Sequence, residues 1–366
     1  MVHRDIKRLY IPDLLKDWPW SREINPHYEE VKEESNAWFR RFNAFSTSSQ
    51  YAFEKCDPPL LAALAYPRVS KEHLRSGCDL MNLFFLIDEY TDVEPGHIVR
   101  EMVDVVIDAM NKPHEPRPEG EIFLGEAARQ FWALAIETAS PASRRHMIES
   151  FTAYLDSVVQ QAEDRDHDTH RSISSYLKTR RENIGIRPSL VILELGLSIP
   201  DEVLYHRVMK ELSTYIADMI IVDNDIISYS KERAVGDDRH NILTIAMREF
   251  GIDLDGALNW ANNYFNEVKE KFLEVRTRVP SWGRDVDSQV EQYLHGVANW
   301  PRASNCWDFE SGRYFGDKGL EYQRTRVVPL LPKVTPPRQD PTLRRQNIVV
   351  ADVDALEAGK NLCTLE

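Results

Sequence analysis

The apolar run YIADMIIV, residues 215–222, passes through Asp223 straight into NDIISYSKE, residues 224–232. The run reads as a buried helix, yet its continuation holds six polar or charged residues. On an α-helix, residues four apart share a face. Asn224, Ser228 and Glu232 therefore project an amide, a hydroxyl and a carboxylate along one stripe. These are hard oxygen donors, suited to Mg²⁺ rather than to zinc. A solvated helix end would show the same three residues, so the rest of the chain has to decide between the two readings.

A second helix repeats the oddity. In LMNLFFLIDEYTD, residues 80–92, an apolar stretch ends in Asp88, Glu89 and Asp92. Asp88 and Asp92 are four apart and share a face, with Phe84 and Phe85 a turn earlier. Carboxylates at the mouth of an apolar cavity are costly unless metal ions neutralise them. Two such clusters facing each other could hold a diphosphate between metals, given cationic donors around it. YLKTRRENIGIRP (176–188) supplies Arg180, Arg181 and Arg187, and WDFESGRYFG (307–316) supplies Arg313 and Tyr314 beside Trp307. Arginine suits bidentate phosphate contacts, although Arg-rich helix faces are more often simply solvated.

Composition narrows the classes. The 366 residues carry 42 % hydrophobic side chains, enough for a large core, and only 15 glycines, which favours helix over sheet. A net charge of −14 argues against nucleic-acid or anionic-membrane partners. The four cysteines form no CxxC pair, as expected of a reducing compartment. No stretch approaches a membrane span and the start is too charged for a signal peptide, so the expectation is a cytoplasmic protein.

Helix signals dominate the chain. Asn25-Pro26, Asp57-Pro58 and Ser70 read as helix starts, the last opening a long helix that Pro95-Gly96 stops. Helical runs follow at about 122–139, 142–164, 173–197, 201–233, 240–250, 254–278 and 285–300. The fold class predicted is all-α: a single-domain helical bundle over residues 1–330 around a central apolar cavity. Residues 331–366, beginning in a stretch rich in proline and charge, read as a mostly disordered C-terminal tail. The acidic EDRDHDTH segment (163–170), with His167, Asp168 and His170, is a weaker candidate metal site, since it lies in a polar connection without apolar framing.

Taken together, these residues resemble the class I terpene synthases of microbial type, over residues 8 to 320. Asn224, Ser228 and Glu232 match the asparagine–serine–glutamate metal motif, with Lys231 before the glutamate. Asp88-Glu89-Tyr90-Thr91-Asp92 matches the aspartate-rich motif, departing from it by glutamate at the second position. The resemblance puts the diphosphate-sensing arginine on Arg181, the helix-break effector on Gly185 and its linker on Ile184. It puts the C-terminal Arg-Tyr pair on Arg313 and Tyr314, after the aromatic Trp307. Residues 17–45 and 60–92 are similar, more narrowly, to the basidiomycete sesquiterpene synthases of the Δ6-protoilludene branch.

That resemblance implies a lyase of fungal secondary metabolism that ionises farnesyl diphosphate and closes it between C1 and C11. It implies Mg²⁺, three ions to a site, held by Asp88, Asp92, Asn224, Ser228 and Glu232. Diphosphate would contact Arg181, Lys231, Arg313 and Tyr314, while Phe85 and Trp307 would face the carbocation or, equally, be plain core. The protein would be a monomer or homodimer. A prenyl-chain elongating enzyme would need a second DDxxD motif, which residues 223–232 do not offer. A catalytically silent helical binding protein would not need intact ligands.

Overall fold

The computed structural model describes residues 7–334 and 348–358. Strand β1 (Arg8–Tyr10) leads to α1 (Tyr28–Arg40), α2 (Thr47–Lys55) and α3 (Pro58–Ala65). Then come α4 (Lys71–Thr91), α5 (Gly96–Asn111), α6 (Leu124–Ala135) and α7 (Pro141–Asp166). The chain continues with α8 (Ile173–Asn183), α9 (Ile186–Val191), the single turn α10 (Asp201–Leu204) and the long α11 (Arg207–Val235). After it stand α12 (Ile242–Phe250), α13 (Leu254–Arg276), α14 (Arg284–Glu310), α15 (Gly319–Thr325), strand β2 (Val327–Pro329) and α16 (Val353–Glu357). The all-α expectation holds. Among the described residues the one sheet is the antiparallel pair β1–β2, with Arg8 opposite Pro329.

Capping chemistry sets several of these starts. Ser70 Oγ accepts from the His73 amide (3.3 Å), and Asp57 accepts from Leu60 (3.2 Å) ahead of Pro58 and Pro59. Asn25 does something else. It is buried, its amide donates to the Tyr66 and Val69 carbonyls (2.8 and 3.1 Å), and α1 starts at Tyr28. Pro95 ends α4 but also opens α5, a helix absent from the sequence reading. The run at 173–197 breaks at Gly185, whose φ of 73° is left-handed. Helix α14 passes through Pro301 to Glu310, because Ala303, Cys306, Trp307 and Phe309 beyond it are buried. That burial offsets the roughly 3 kcal/mol that an interior proline costs.

Helix α11 threads the middle of the bundle, packed by α8, α12, α13 and α14. It therefore buries carboxylates as well as apolar side chains, and each has to find a donor. Asp218 takes both Arg181 and Tyr264, and Asp225 takes the Tyr176 hydroxyl (2.5 Å) and the Ile242 amide (2.8 Å). Asp223 accepts from Asn305 at 3.1 Å.

The segment after residue 330 departs from the disordered tail expected of it wherever it is described. Leu331 is 2 % exposed, and its amide donates to Ser230 Oγ at 2.9 Å. Val350, Val353 and Leu356 are buried too, the last two against Ala234 and Leu331. Leu331 stands among prolines and shows no period, whereas Val353 and Leu356, three apart in IVVADVDALEA (348–358), lie on one face of α16. The rest of that stretch, residues 335–347 and 359–366, lies outside the described residues.

Candidate active site

Two helix ends meet at one mouth. The C-terminal turn of α4 brings Asp88 and Glu89, and the C-terminal half of α11 brings Asn224, Ser228, Lys231 and Glu232. The loop after α14 bridges them. Arg313 donates to Glu89 at 2.8 Å and to Asp88 at 3.2 Å, while the Asn224 amide donates to the Tyr314 hydroxyl at 2.9 Å. The Lys231 ammonium stands 6.0 Å from the centre of the Tyr314 ring.

The arginine that reaches this mouth is Arg180. Its Nη2 donates to Asn224 Oδ1 at 2.9 Å and lies 3.5 Å from Asp225, and its Nη1 donates to Asn183 at 2.5 Å. Its Nε is buried without a partner. Arg181, on which the resemblance placed the diphosphate sensor, turns to another face of α11. It forms a two-pronged ion pair with Asp218 (2.6 and 2.8 Å), its side chain 37 % exposed. The phase of α8 explains the difference. Ile173, Tyr176 and Leu177 mark its buried face, and Arg180 falls four residues after Tyr176 and three after Leu177. That spacing was the legible signal. Arg180 was named among the cationic donors without being set apart from Arg181, and Tyr176 and Asp225 were missed, since nothing in sequence separates a polar residue on a buried network from one in solvent.

The oxygen donors are held in a state that wants a cation. Burial pushes the Glu232 carboxyl up to about 8, with Asp225 and Asp237 adding to it and Ser228 and Asn241 opposing. Asp88 is raised by the protein around it and by Glu89 against the pull of Arg313, although at 47 % side-chain exposure water tempers the effect. Asp92 is driven well up by burial and then by Asp88 and Asp237. Carboxyls crowded this way ionise together only with positive charge between them.

The donor chemistry fits a hard divalent ion. Ser228 Oγ is buried beside Glu232 without a well-formed hydrogen bond. Asn241, also missed in sequence, donates to Glu232 at 2.9 Å and to the Asp225 carbonyl at 2.7 Å, fixing the carboxylate's orientation. Among the described residues no three His, Cys, Asp or Glu side chains converge as a ligand set, so any metal centre here relies on the amide and hydroxyl as well. The EDRDHDTH segment forms no such set either. His167 Nδ1 sits on the Glu163 carbonyl (2.8 Å), Asp168 pairs with Arg239, and His170 faces Arg248.

Aromatic rings line the inward side. Phe85 lies 5.4 Å from Trp307, and the Arg313 guanidinium lies 4.9 Å from the Phe85 centre. Trp307 is 2 % exposed and donates to the Cys56 and Asp57 carbonyls (2.8 and 3.0 Å). Phe84 packs instead on Phe151 and Tyr154 and against Gly185. A methyl group on Gly185 would meet the Phe84 ring at 3.4 Å and strain a left-handed φ. Gly185→Ala should therefore cost about 1 kcal/mol or more, lowering the melting temperature by roughly 1–2 °C, read by thermal unfolding.

Comparison with known proteins identifies the family. A family described as terpene synthase family 2, C-terminal metal binding, matches residues 79–271. Sesquiterpene synthase 14 of Postia placenta is 60 % identical over 95 % of this chain and 98 % of its own length. Delta(6)-protoilludene synthase 18 of the same organism is 58 % identical over 95 % of this chain and 99 % of its own. The Delta(6)-protoilludene synthase of Armillaria gallica is 48 % identical over 90 % and 95 %. The fold alone is shared with crystal structures of a-eudesmol synthase and of germacradien-4-ol synthase from Streptomyces citricolor. Their TM-scores are 0.74 and 0.69, each at 20 % identity, covering 81 % and 79 % of this chain and 99 % and 96 % of theirs. No helix among the described residues is long and apolar enough to cross a membrane. The chain belongs to the terpene synthase family, in the branch of its fungal sesquiterpene synthase relatives.

Proposed function

We propose that the protein is a Mg²⁺-dependent sesquiterpene cyclase that takes farnesyl diphosphate, releases diphosphate and closes C1 onto C11, towards a Δ6-protoilludene-type product. The observation that carries this reading is the meeting of two oxygen-rich helix ends, α4 and α11, tied across one mouth by Arg180, Arg313 and Tyr314. The product class rests on relatives named protoilludene synthases at up to 58 % identity.

Asp88, Asn224, Ser228 and Glu232, with Asp92 behind Asp88, would hold Mg²⁺ ions, three to a site by analogy with the family. Bound there, the metal supplies Lewis-acid stabilisation of the departing diphosphate. The chain's own residues do the rest. Arg180, Lys231, Arg313 and Tyr314 donate to the remaining diphosphate oxygens. Burial, then Arg313, holds the Lys231 pKa below the usual ammonium range, and an arriving polyanion favours its charged form. Breaking the C1–O bond sends its electron pair out with diphosphate. The cation left behind closes ring by ring and finally loses a proton.

Phe85 is placed to steer that cation. Its ring lies 4.9 Å from the Arg313 guanidinium, the kind of contact an aromatic face makes with a cation. Phe85→Leu should shift products towards acyclic or singly cyclised hydrocarbons, since a loss of up to ~2 kcal/mol exceeds the 1.4 kcal/mol that changes a rate about tenfold. An unchanged profile by gas chromatography–mass spectrometry would make Phe85 ordinary core. Trp307→Leu carries a further cost, because the Cys56 and Asp57 carbonyls lose their shared donor, about 1–3 kcal/mol of stability.

The test of the whole reading is incubation with farnesyl diphosphate and Mg²⁺. A tricyclic hydrocarbon should form, and EDTA should stop it. Clear preference for the twenty-carbon geranylgeranyl diphosphate in direct competition would refute the substrate assignment.

A further inference from the structure

Three acidic residues on the described C-terminal stretch, Asp352, Asp354 and Glu357, converge on Lys55 and on the loop that carries Arg313 and Tyr314. Asp352 caps α16 by accepting from the Asp354 amide (3.0 Å) and also meets Lys55 Nζ at 3.2 Å. Asp354 ion-pairs with the same ammonium and accepts from the Asp317 amide at 3.3 Å. Glu357 pairs with Lys318 at 2.6 Å. Gly316 lies so close to the Asp354 carboxylate that a Cβ there has no room.

Lys55 is the other half of the arrangement. Its backbone carbonyl accepts from the Gly312 amide at 2.7 Å, with a close approach that a side chain at 312 would spoil. The next residue, Cys56, offers its carbonyl to Trp307 and its sulfur, at 3.9 Å, to Arg313. Residues 311–318 are thus fixed at one end by Lys55 and at the other by Asp354 and Glu357, with Arg313 and Tyr314 between. The apolar side chains of Val353 and Leu356 anchor the device on Ala234, two residues beyond Glu232 on α11.

We propose that Asp352–Glu357 is a clasp that positions Arg313 and Tyr314 through Lys55, setting the affinity of the site for diphosphate. Lys55, Asp354 and Gly316 are positioning residues in this scheme. None is placed to touch substrate. The inference rests on the reading of Arg313 and Tyr314 as diphosphate donors.

The test uses full-length point variants and two readouts. Lys55→Met removes both ion pairs at once, and Lys55→Arg keeps the charge. Amide exchange over residues 312–317 should become roughly tenfold faster in Lys55→Met and stay near wild type in Lys55→Arg. The inhibition constant for inorganic diphosphate with Mg²⁺, and KM for farnesyl diphosphate, should rise severalfold while kcat changes less. Gly316→Ala, which displaces Asp354 from the other side, should reproduce the pattern. Unchanged protection of 312–317 in both Lys55→Met and Gly316→Ala would overturn the clasp. So would lost protection with unchanged diphosphate inhibition. If wild type itself releases no diphosphate from farnesyl diphosphate, the functional reading fails. The exchange result would still report on the clasp.

Discussion

Glu232→Ala and Asn224→Ala should each lower diphosphate release by roughly 10²–10³-fold, with near-native unfolding temperatures. The two side chains lie on one stripe of α11, and on the proposed reading each removal takes an oxygen from a shared cation. Glu232 carries the stronger expectation. Its carboxyl is pushed up to about 8 by burial, so the folded protein gains little from it without a cation. Replacing it should leave stability unharmed or improved, while the Asn241 amide loses one of its two acceptors. Calorimetric titration with Mg²⁺ and inorganic diphosphate gives an independent check. Wild-type turnover in either variant would remove the stripe from the metal site.

Arg180→Lys should cost about 10²-fold in turnover, whereas Arg181→Lys should cost less than about fivefold. A lysine at 180 keeps the charge but loses the planar fork that reaches Asn183 and Asn224 together. Burial opposes the charge on Arg180, and the Asp225 carboxylate 3.5 Å away sustains it. Arg181 keeps Asp218 for a partner whichever cation it carries, at an edge open to water. The reverse order of effects, measured as initial rates of diphosphate release, would return the sensing role to Arg181.

The contrast between the two arginines shows what sequence could and could not deliver. The helical class, the oxygen-donor stripe on α11 and the acidic turn of α4 were legible, because i, i+4 spacing is a property of one helix and needs no partner. Arg313 and Tyr314 were also found, and the structure ties them to Asp88, Glu89 and Asn224. Choosing between Arg180 and Arg181 depended on a rotation of about 100° about α8, set by how that helix packs on α11. Asn241 was invisible for a related reason. Its side chain caps α12 while also holding Glu232, and a capping asparagine carries no mark of its second partner. The burial of Val353 and Leu356 went unread although their three-residue spacing in α16 is helical, because the proline- and charge-rich residues before them set the reading of the whole segment.

The β1–β2 ladder, small as it is, fixes when in its synthesis the protein becomes whole. Arg8 pairs with Pro329, so the contact closes a loop of nearly the whole chain, and its entropic cost is met only once the helices between have condensed. The residues that follow β2 directly, through Leu331 to Val334, bond to Ser230, Arg233 and Ala234 around Glu232. A nascent chain still lacking them could form its bundle and bury the α11 stripe, yet the turn bearing Glu232 would lack these outer bonds. Residues 331–334 would thus brace the turn of α11 that bears Glu232, and a chain ending before residue 327 would lack those bonds.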